Sequence, residues 1–136
     1  MTAILGSLSG LVPFLCYFGG AVGLLLLFVL IYGLVTPYPE HRLIQEGKTA
    51  PAVSFGGAIL GFTCPMVSAI AHSVSLTDMI VWSLVALAVQ ILVFLVMRLF
   101  LHHLIKDVAE DKMGPAILLA IVSVAVGLLN AASMTY

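Results

Sequence analysis

The chain has 136 residues, of which 62% are hydrophobic and 8% are charged, and its formal net charge is −1. A soluble domain carries about 25% charged residues, and a chain this short leaves much of its surface in contact with solvent. Lipid is therefore the expected solvent for most of the chain. The near-neutral charge, without a basic patch, gives no support for a nucleic-acid partner, because such binding depends on neutralising phosphates.

Four long apolar runs follow one another along the sequence. They extend over about residues 10–36, 51–72, 76–101 and 115–134. About 20 apolar residues in a helix span the hydrocarbon core of a bilayer, so each run is long enough to cross. We predict an all-α membrane protein with four transmembrane helices, forming a single membrane domain over residues 1–136.

A polar heptapeptide before the second run recurs before the fourth. The segments Glu46-Gly47-Lys48-Thr49-Ala50-Pro51-Ala52 and Glu110-Asp111-Lys112-Met113-Gly114-Pro115-Ala116 share Glu, Lys, Pro and Ala in register. Proline suits the first turn of a helix, where its missing N–H is not needed. We therefore predict two tandem parallel two-helix repeats, with hairpins at about 10–73 and 76–134. Chance likeness is the alternative, since polar loops draw on few residue types.

The Lys and Arg residues lie in or beside two of the three connections. They are Arg42 and Lys48 in segment 37–50, Lys106 and Lys112 in segment 102–113, and Arg98 just before it. The positive-inside rule then places both segments in the cytoplasm and both termini in the periplasm. The same two segments are the candidate surfaces for a cytoplasmic partner.

The remaining connection, residues 73–77, is so short that the second and third runs must be antiparallel neighbours. Ser75 stands three residues before Asp78, which is the spacing of a helix cap. We interpret Asp78 as part of that cap and not as a catalytic group. His72 is interpreted as an interfacial anchor; the alternative is a His72–Asp78 pair that senses pH.

Small and polar residues recur every three or four positions in the second and fourth runs. These stripes contain Ser54, Gly57, Gly61, Cys64, Ser68 and Ala71, and then Ala116, Ala120, Ser123, Gly127, Asn130 and Met134. Small residues let helices approach closely in lipid, so we interpret the stripes as packing seams centred on Gly57, Gly61, Ser123 and Gly127. Stripes that line a pore are the alternative, and the pattern does not say whether the seams lie within or between subunits.

Two uncharged polar side chains, Gln90 and Asn130, stand at membrane depth. Each must face protein or water, because an unpaired polar group in hydrocarbon is costly. We predict hydrogen bonds between helices, with Asn130 meeting Ser68; a polar step on a solute or ion path is the alternative. Arg98, near the end of the third run, is expected to extend its charge to the headgroups.

The sequence contains no recognisable catalytic or cofactor-binding motif. It has no phosphate-cradling glycine loop, no nucleophile motif and no redox cysteine pair. Glu40, His41, His102 and His103 do not have the spacing of a metal site. We predict no enzymatic activity, no cofactor and no bound metal.

Three stretches together resemble the YjfL-like family of small bacterial inner-membrane proteins (domain of unknown function 350). They are residues 54–61 with Pro65 and Ser68-Ala69, residues 89–94 with Arg98, and the ending 127–136. The likeness covers the chain from about Tyr17 to Tyr136. It implies location in the inner membrane and paired two-helix repeats, and it supplies no assigned catalytic or binding residues.

A bundle of four short helices encloses little space, so we expect a homo-oligomer in the lipid bilayer. The leading hypothesis is a non-enzymatic membrane component, either channel-like or a scaffold for partner proteins. The alternative is a subunit of a small-solute or proton-coupled transporter. A transporter should pair an ionisable group with a partner at mid-membrane, where this sequence offers only Gln90 and Ser123.

Overall fold

The computed structural model describes residues 2–36, 40–101 and 103–134, and these ranges contain helices and no strand. The helices are α1 Thr2–Leu8, α2 Leu11–Val35, α3 Glu40–Gln45, α4 Thr49–His72, α5 Leu76–Phe100, α6 Leu104–Ala109 and α7 Met113–Ser133. Four segments, α1 with α2, then α4, α5 and α7, are long and apolar enough to cross a membrane. The prediction of an all-α membrane protein with four spans is confirmed.

Caps and prolines explain where the spanning helices begin. Pro51 and Pro115 each occupy the third position of a helix. In this first turn the backbone N–H groups have no hydrogen-bond acceptor within the helix, so proline loses nothing there. At the start of α5, the Asp78 N–H donates to Ser75 Oγ at 3.1 Å, which confirms the predicted cap. Asp78 Oδ2 in turn accepts the Val74 N–H at 3.3 Å.

An aromatic cluster holds α2 against α4 and α5. Phe28 of α2 stacks on Phe62 of α4 with ring centroids 4.7 Å apart. Tyr32, one turn further along α2, meets Phe94 of α5 edge to face at 5.4 Å. All four rings are almost fully buried. Aromatic pairs of this geometry add about 0.5–1.5 kcal/mol each beyond the area that they bury.

The helices α4 and α7 lie parallel along their length. Gly57 contacts Ala120, Gly61 contacts Ser123, and Ser68 contacts Ala131. The residue numbers rise in the same direction along both helices. The pair α2 and α5 is also parallel, since Gly20 lies beside Met79 and Tyr32 beside Phe94. The bundle therefore contains two parallel pairs, α4 with α7 and α2 with α5.

Each polar connection contains a short helix, where the sequence analysis treated the segment as a loop. Helix α3 buries Leu43, and α6 buries Leu104 and Val108. These apolar side chains draw both segments onto the end of the bundle. Six residues are too few to show a helical period, which is why the pattern gave no sign of them. Residues 37–39 and 102 of the two segments lie outside the described residues.

The turns after α3 and α6 have matching backbone geometry. Gly47 and Asp111 both have positive φ, at 84° and 64°. The Gly47 N–H donates to the Ile44 carbonyl at 3.0 Å, and the Asp111 N–H donates to the Val108 carbonyl at 3.1 Å. The two positions differ by 64 (111 − 47), which is the spacing of the predicted repeat. The repeat itself remains a prediction from the sequence.

Candidate functional site

A polar junction joins three of the spanning helices near mid-membrane. Pro65 stands inside α4. Proline has no N–H, so the Gly61 carbonyl, four residues earlier, loses its usual partner in the helix. Gln90 of α5 supplies the missing donor: its Nε2 donates to the Gly61 carbonyl at 3.0 Å and to the Ser123 carbonyl of α7 at 3.1 Å. The Gln90 residue is only 1% exposed.

The backbones of α4 and α7 touch on either side of this junction. A Cβ added to Gly57 would overlap Ala120, and one added to Gly61 would overlap the Ser123 carbonyl. A Cβ added to Gly127 would overlap the backbone of Gly61. The structure thus places the small-residue seam within one chain, a question that the sequence left open. Only glycine permits this approach, because any side chain would push the helices apart.

Ser68 also connects α4 to α7, two turns nearer the end of the bundle where α4 leads into α5. Its Oγ donates to the Ala131 carbonyl at 2.8 Å. The expected pairing of Ser68 with Asn130 is therefore replaced by a bond to the neighbouring backbone. Asn130 is half-buried, and its Nδ2 has no hydrogen-bond partner in the part of the chain that the structure describes.

The two ionisable candidates lie at the helix ends. His72 is exposed in the last turn of α4, with Nδ1 at 3.0 Å from the Ser68 carbonyl. Arg98 is exposed in the last turn of α5 and forms no salt bridge with another described residue. Both side chains are placed where they can reach the lipid–water interface.

The two polar turns bind each other at the opposite end of the bundle. Asp111 Oδ1 accepts the Ala50 N–H at 2.7 Å and so caps α4 from the other hairpin. Lys48 Nζ donates to the Ala109 carbonyl at 3.2 Å. Sequence reasoning missed both contacts, because each joins a side chain to a backbone group 61 residues away. The sequence analysis also did not recognise that Pro65 leaves the Gly61 carbonyl without its helical donor. The four-residue spacing between Gly61 and Pro65 indicates this loss.

The junction is built for packing and offers little acid–base chemistry. It consists of one amide and two backbone carbonyls, without an ionisable side chain among the bonded groups. Two buried polar atoms, Gln90 Oε1 and Ser83 Oγ, have no hydrogen-bond partner among the described residues. Over the same residues, no three His, Cys, Asp or Glu side chains come together as metal ligands would.

An open groove of about 720 Å³ runs along the α4–α7 pair. Its described lining comes from these two helices alone and comprises Ala52, Val53, Gly56, Gly57, Leu60, Ala120, Ile121, Val124, Ala125 and Leu128. A Cβ added to Gly56 would meet no atom within 4 Å. The groove is thus an unfilled apolar surface, immediately beside the seam that Gly57 closes.

Four membrane-length helices with a glycine seam define a polytopic α-helical membrane protein. A family model, Domain of Unknown Function (DUF350), matches residues 6–134. The chain belongs to this family, which confirms the resemblance seen in the sequence.

Relatives of similar length are inner-membrane or transmembrane proteins. The chain is 33% identical over 129 residues to the UPF0719 inner membrane protein YjfL of Escherichia coli (strain K12), covering 95% of this chain and 98% of the relative. It is 28% identical over 127 residues to the UPF0719 transmembrane protein YshE of Bacillus subtilis (strain 168), covering 91% and 94%. No solved structure matches the chain. Together with the four spans, these relatives identify a multi-pass inner-membrane protein.

Proposed function

We propose that the protein is a non-enzymatic membrane scaffold that self-associates through the α4–α7 groove. The groove is the observation that carries this proposal. It is apolar, and Ala52, Gly56 and Ala125 leave room for another helix to approach closely. Close contact of this kind drives helix association in lipid, where apolar burial alone does not distinguish protein from acyl chains.

The occupant of the groove is a second copy of the chain. Gly57 and Ala120 belong both to the intramolecular seam and to the groove, so the surface used inside one protomer continues outward. Two copies that present the same groove can pack face to face about a twofold axis, which is the commonest oligomer symmetry. Because both copies insert with the same orientation, this axis lies along the membrane normal.

A closed protomer interior favours a scaffold over a pore. Phe28, Phe62 and Phe94 fill the space between α2, α4 and α5. The Gln90 amide fills the space where α5 meets α4 and α7. A pore needs a continuous polar surface along its whole length. Because these side chains fill the interior, no such surface runs between the helices that they join.

The partner surface is the polar end of the bundle, with both termini on the opposite, periplasmic side. The positive-inside rule supports this orientation, since Arg42, Lys48, Lys106 and Lys112 all lie at the polar end. The contacts of Asp111 with Ala50 and of Lys48 with Ala109 hold the turns that follow α3 and α6 together at this end of the bundle.

A subunit of a small-solute or proton-coupled transporter is the second candidate. It is favoured by Gln90 Oε1 and Ser83 Oγ, two buried acceptors on α5 without a hydrogen-bond partner in the described ranges. Buried polar groups of this kind commonly bind internal water. A transport cycle would use such water as a polar step near mid-membrane.

Two glycines with open space beside them provide a matched test of self-association. Gly56→Leu fills the groove, while Gly23→Leu adds the same bulk to α2, where a Cβ also meets nothing within 4 Å. The mass of each purified protein in lipid nanodiscs is measured together with its unfolding temperature. We expect Gly56→Leu to become monomeric with an unchanged unfolding temperature, and Gly23→Leu to assemble like the wild type. A monomeric wild type, or equal assembly in all three proteins, refutes the proposal.

A further inference from the structure

The first spanning segment is too long for the bilayer that the other helices define. On α5, Asp78 and Arg98 lie 20 residues apart (98 − 78), or about 30 Å of helix, which matches the hydrocarbon thickness. The segment Thr2–Val35 has 34 residues. As a continuous helix it would be about 51 Å long and would need a tilt of about 54° to fit, whereas spanning helices tilt by roughly 0–40°.

The excess length lies at one end of the bundle. A Cβ on Gly20 of α2 would be 3.3 Å from Met79 Cε and 3.7 Å from Leu76 Cδ1, so Gly20 lies level with the first turn of α5. Helix α4 ends nearby at His72. The nine residues 11–19 therefore extend about 13 Å beyond this level, and α1 adds further length.

This protruding segment carries no charge and exposes a broad apolar surface. Residues 2–16 are all exposed, and none of them is charged. Its large side chains are 47–67% exposed; they are Ile4, Leu5, Leu8, Leu11, Val12, Phe14, Leu15 and Phe18. At about 100° per residue, the three large side chains of α1 lie on one side of that helix, and the five of α2 fall within about half of its circumference. A helix with a broad exposed apolar face and no charge belongs at or in lipid and not in water.

The residues between α1 and α2 favour a bend in the chain. Ser9 and Gly10 separate the two helices. Pro13 lacks the N–H that would otherwise bond to the Ser9 carbonyl. Ser9 Oγ also donates to the Gly6 carbonyl at 2.6 Å. The Gly10 N–H bonds to the Ser7 carbonyl at 3.2 Å, which tightens the turn. Proline and glycine in one short stretch are the common causes of a helix kink.

We infer that residues 2–18 form a membrane-surface segment that lies in the lipid–water interface at the end of the bundle where α4 connects to α5. Its partner is the lipid surface itself. The bend at Ser9–Gly10 lets α1 lie along the membrane, with its apolar side chains among the acyl chains. Helix α2 has 25 residues and is about 38 Å long, so a tilt of about 37°, within the usual range, fits it to a hydrocarbon core of about 30 Å.

Spin labels at single cysteines test this placement in the full-length protein. Cys16→Ser and Cys64→Ser remove the native thiols, and a label is then attached at Leu5→Cys in phosphatidylcholine vesicles. Its collision rates with oxygen, which concentrates in hydrocarbon, and with a water-soluble nickel chelate are measured. Leu26→Cys on α2, 59% exposed near mid-membrane, and Val74→Cys, 92% exposed between α4 and α5, supply the lipid and water references.

We expect the oxygen-to-nickel collision ratio at Leu5 to approach that at Leu26 and to exceed that at Val74 several-fold. A ratio equal to that at Val74 places the segment in water and overturns the inference. Low collision rates with both reagents at Leu5 mean that protein covers the segment, which overturns it in favour of a second copy. A label at Phe14→Cys, on the α2 side of the bend, is expected to give the same lipid signature as Leu5.

Discussion

Gln90 replaces the hydrogen-bond donor that Pro65 removes from α4. The Gly61 carbonyl, which Pro65 leaves unpaired within its own helix, accepts from Gln90 Nε2 at 3.0 Å. Water is not available in the bilayer core to satisfy such a carbonyl, so a neighbouring helix must do so. The proline in one hairpin and the glutamine in the other are therefore energetically linked, although neither bonds to the other.

A double-mutant cycle measures this link. Gln90→Leu should lower the free energy of unfolding by about 1–2 kcal/mol, because the Gly61 carbonyl then stays buried without a partner. Pro65→Ala restores an N–H in the helix, so the same Gln90→Leu change should cost about 1 kcal/mol less in the Pro65→Ala background. Reversible unfolding in mixed detergent micelles gives all four values.

Ser83→Ala is the matched control for this cycle. Ser83 is fully buried on the same face of α5, and its Oγ has no hydrogen-bond partner in the described chain. Removing it should change stability little and should not couple to Pro65. Equal coupling of Pro65 to residues 83 and 90 would contradict the assignment of Gln90 as the substitute donor.

Adjacent glycines on α4 provide the second prediction. Gly57→Ala should cost about 1–3 kcal/mol, because the new Cβ collides with Ala120. Gly56→Ala should be neutral or stabilising by up to about 1 kcal/mol, since space is open there and alanine favours helix. Thermal unfolding of both variants in nanodiscs measures the two changes in stability. A similar loss of stability at the two sites would contradict the observed seam.

Ile59 lies off the stripe of small residues in the second run, so the sequence predicts that it faces lipid. The structure shows this to be wrong, because Ile59 is half-buried against the core. Leu60, which is 59% exposed, faces outward instead. A stripe of small residues indicates the direction of one neighbour, α7, but α4 has three spanning neighbours and the other two leave no such stripe.

The spans were predictable from the sequence because the bilayer fixes their length and polarity. The buried position of Gln90 was predictable for a similar reason, since hydrocarbon excludes unpaired amides. Its partners were not, because they are backbone carbonyls and every residue has one. The cap that Asp111 supplies to Ala50 was hidden for the same reason.

Ser68 and Asn130 give the third prediction. Ser68→Ala should cost about 0.5–1.5 kcal/mol, because the hydroxyl donates to the Ala131 carbonyl across the seam. The same cost is expected in an Asn130→Ala background, since the bond uses the backbone and not the Asn130 side chain. Unfolding free energies of the two single variants and the double variant test this. A coupling above about 0.5 kcal/mol would show that the two side chains meet, as the sequence first indicated.

Orientation in the membrane is the fourth prediction. A periplasm-active reporter should work when it is fused after Tyr136, a position outside the described residues, and should be silent when it is inserted near Gln45. The physical basis is the placement of Arg42, Lys48, Lys106 and Lys112 at the polar end of the bundle. A cytoplasm-active reporter at the same two positions is the control and should give the reverse pattern. Periplasmic activity at Gln45 alone would invert the proposed orientation.

Asp111 caps α4 and also adopts a backbone conformation with positive φ, and substitutions can separate these two contributions to stability. Its φ of 64° suits glycine or asparagine better than most residues, and its Oδ1 accepts the Ala50 N–H at 2.7 Å. Asp111→Asn keeps an acceptor and tolerates the backbone, so it should cost less than about 1 kcal/mol. Asp111→Ala loses the cap and strains the backbone, so it should cost about 1–3 kcal/mol. Asp111→Gly, which copies Gly47, loses only the cap and should fall between them. Unfolding of the three variants in the same micelles ranks them, and equal costs for Ala and Gly would show that the backbone strain contributes nothing.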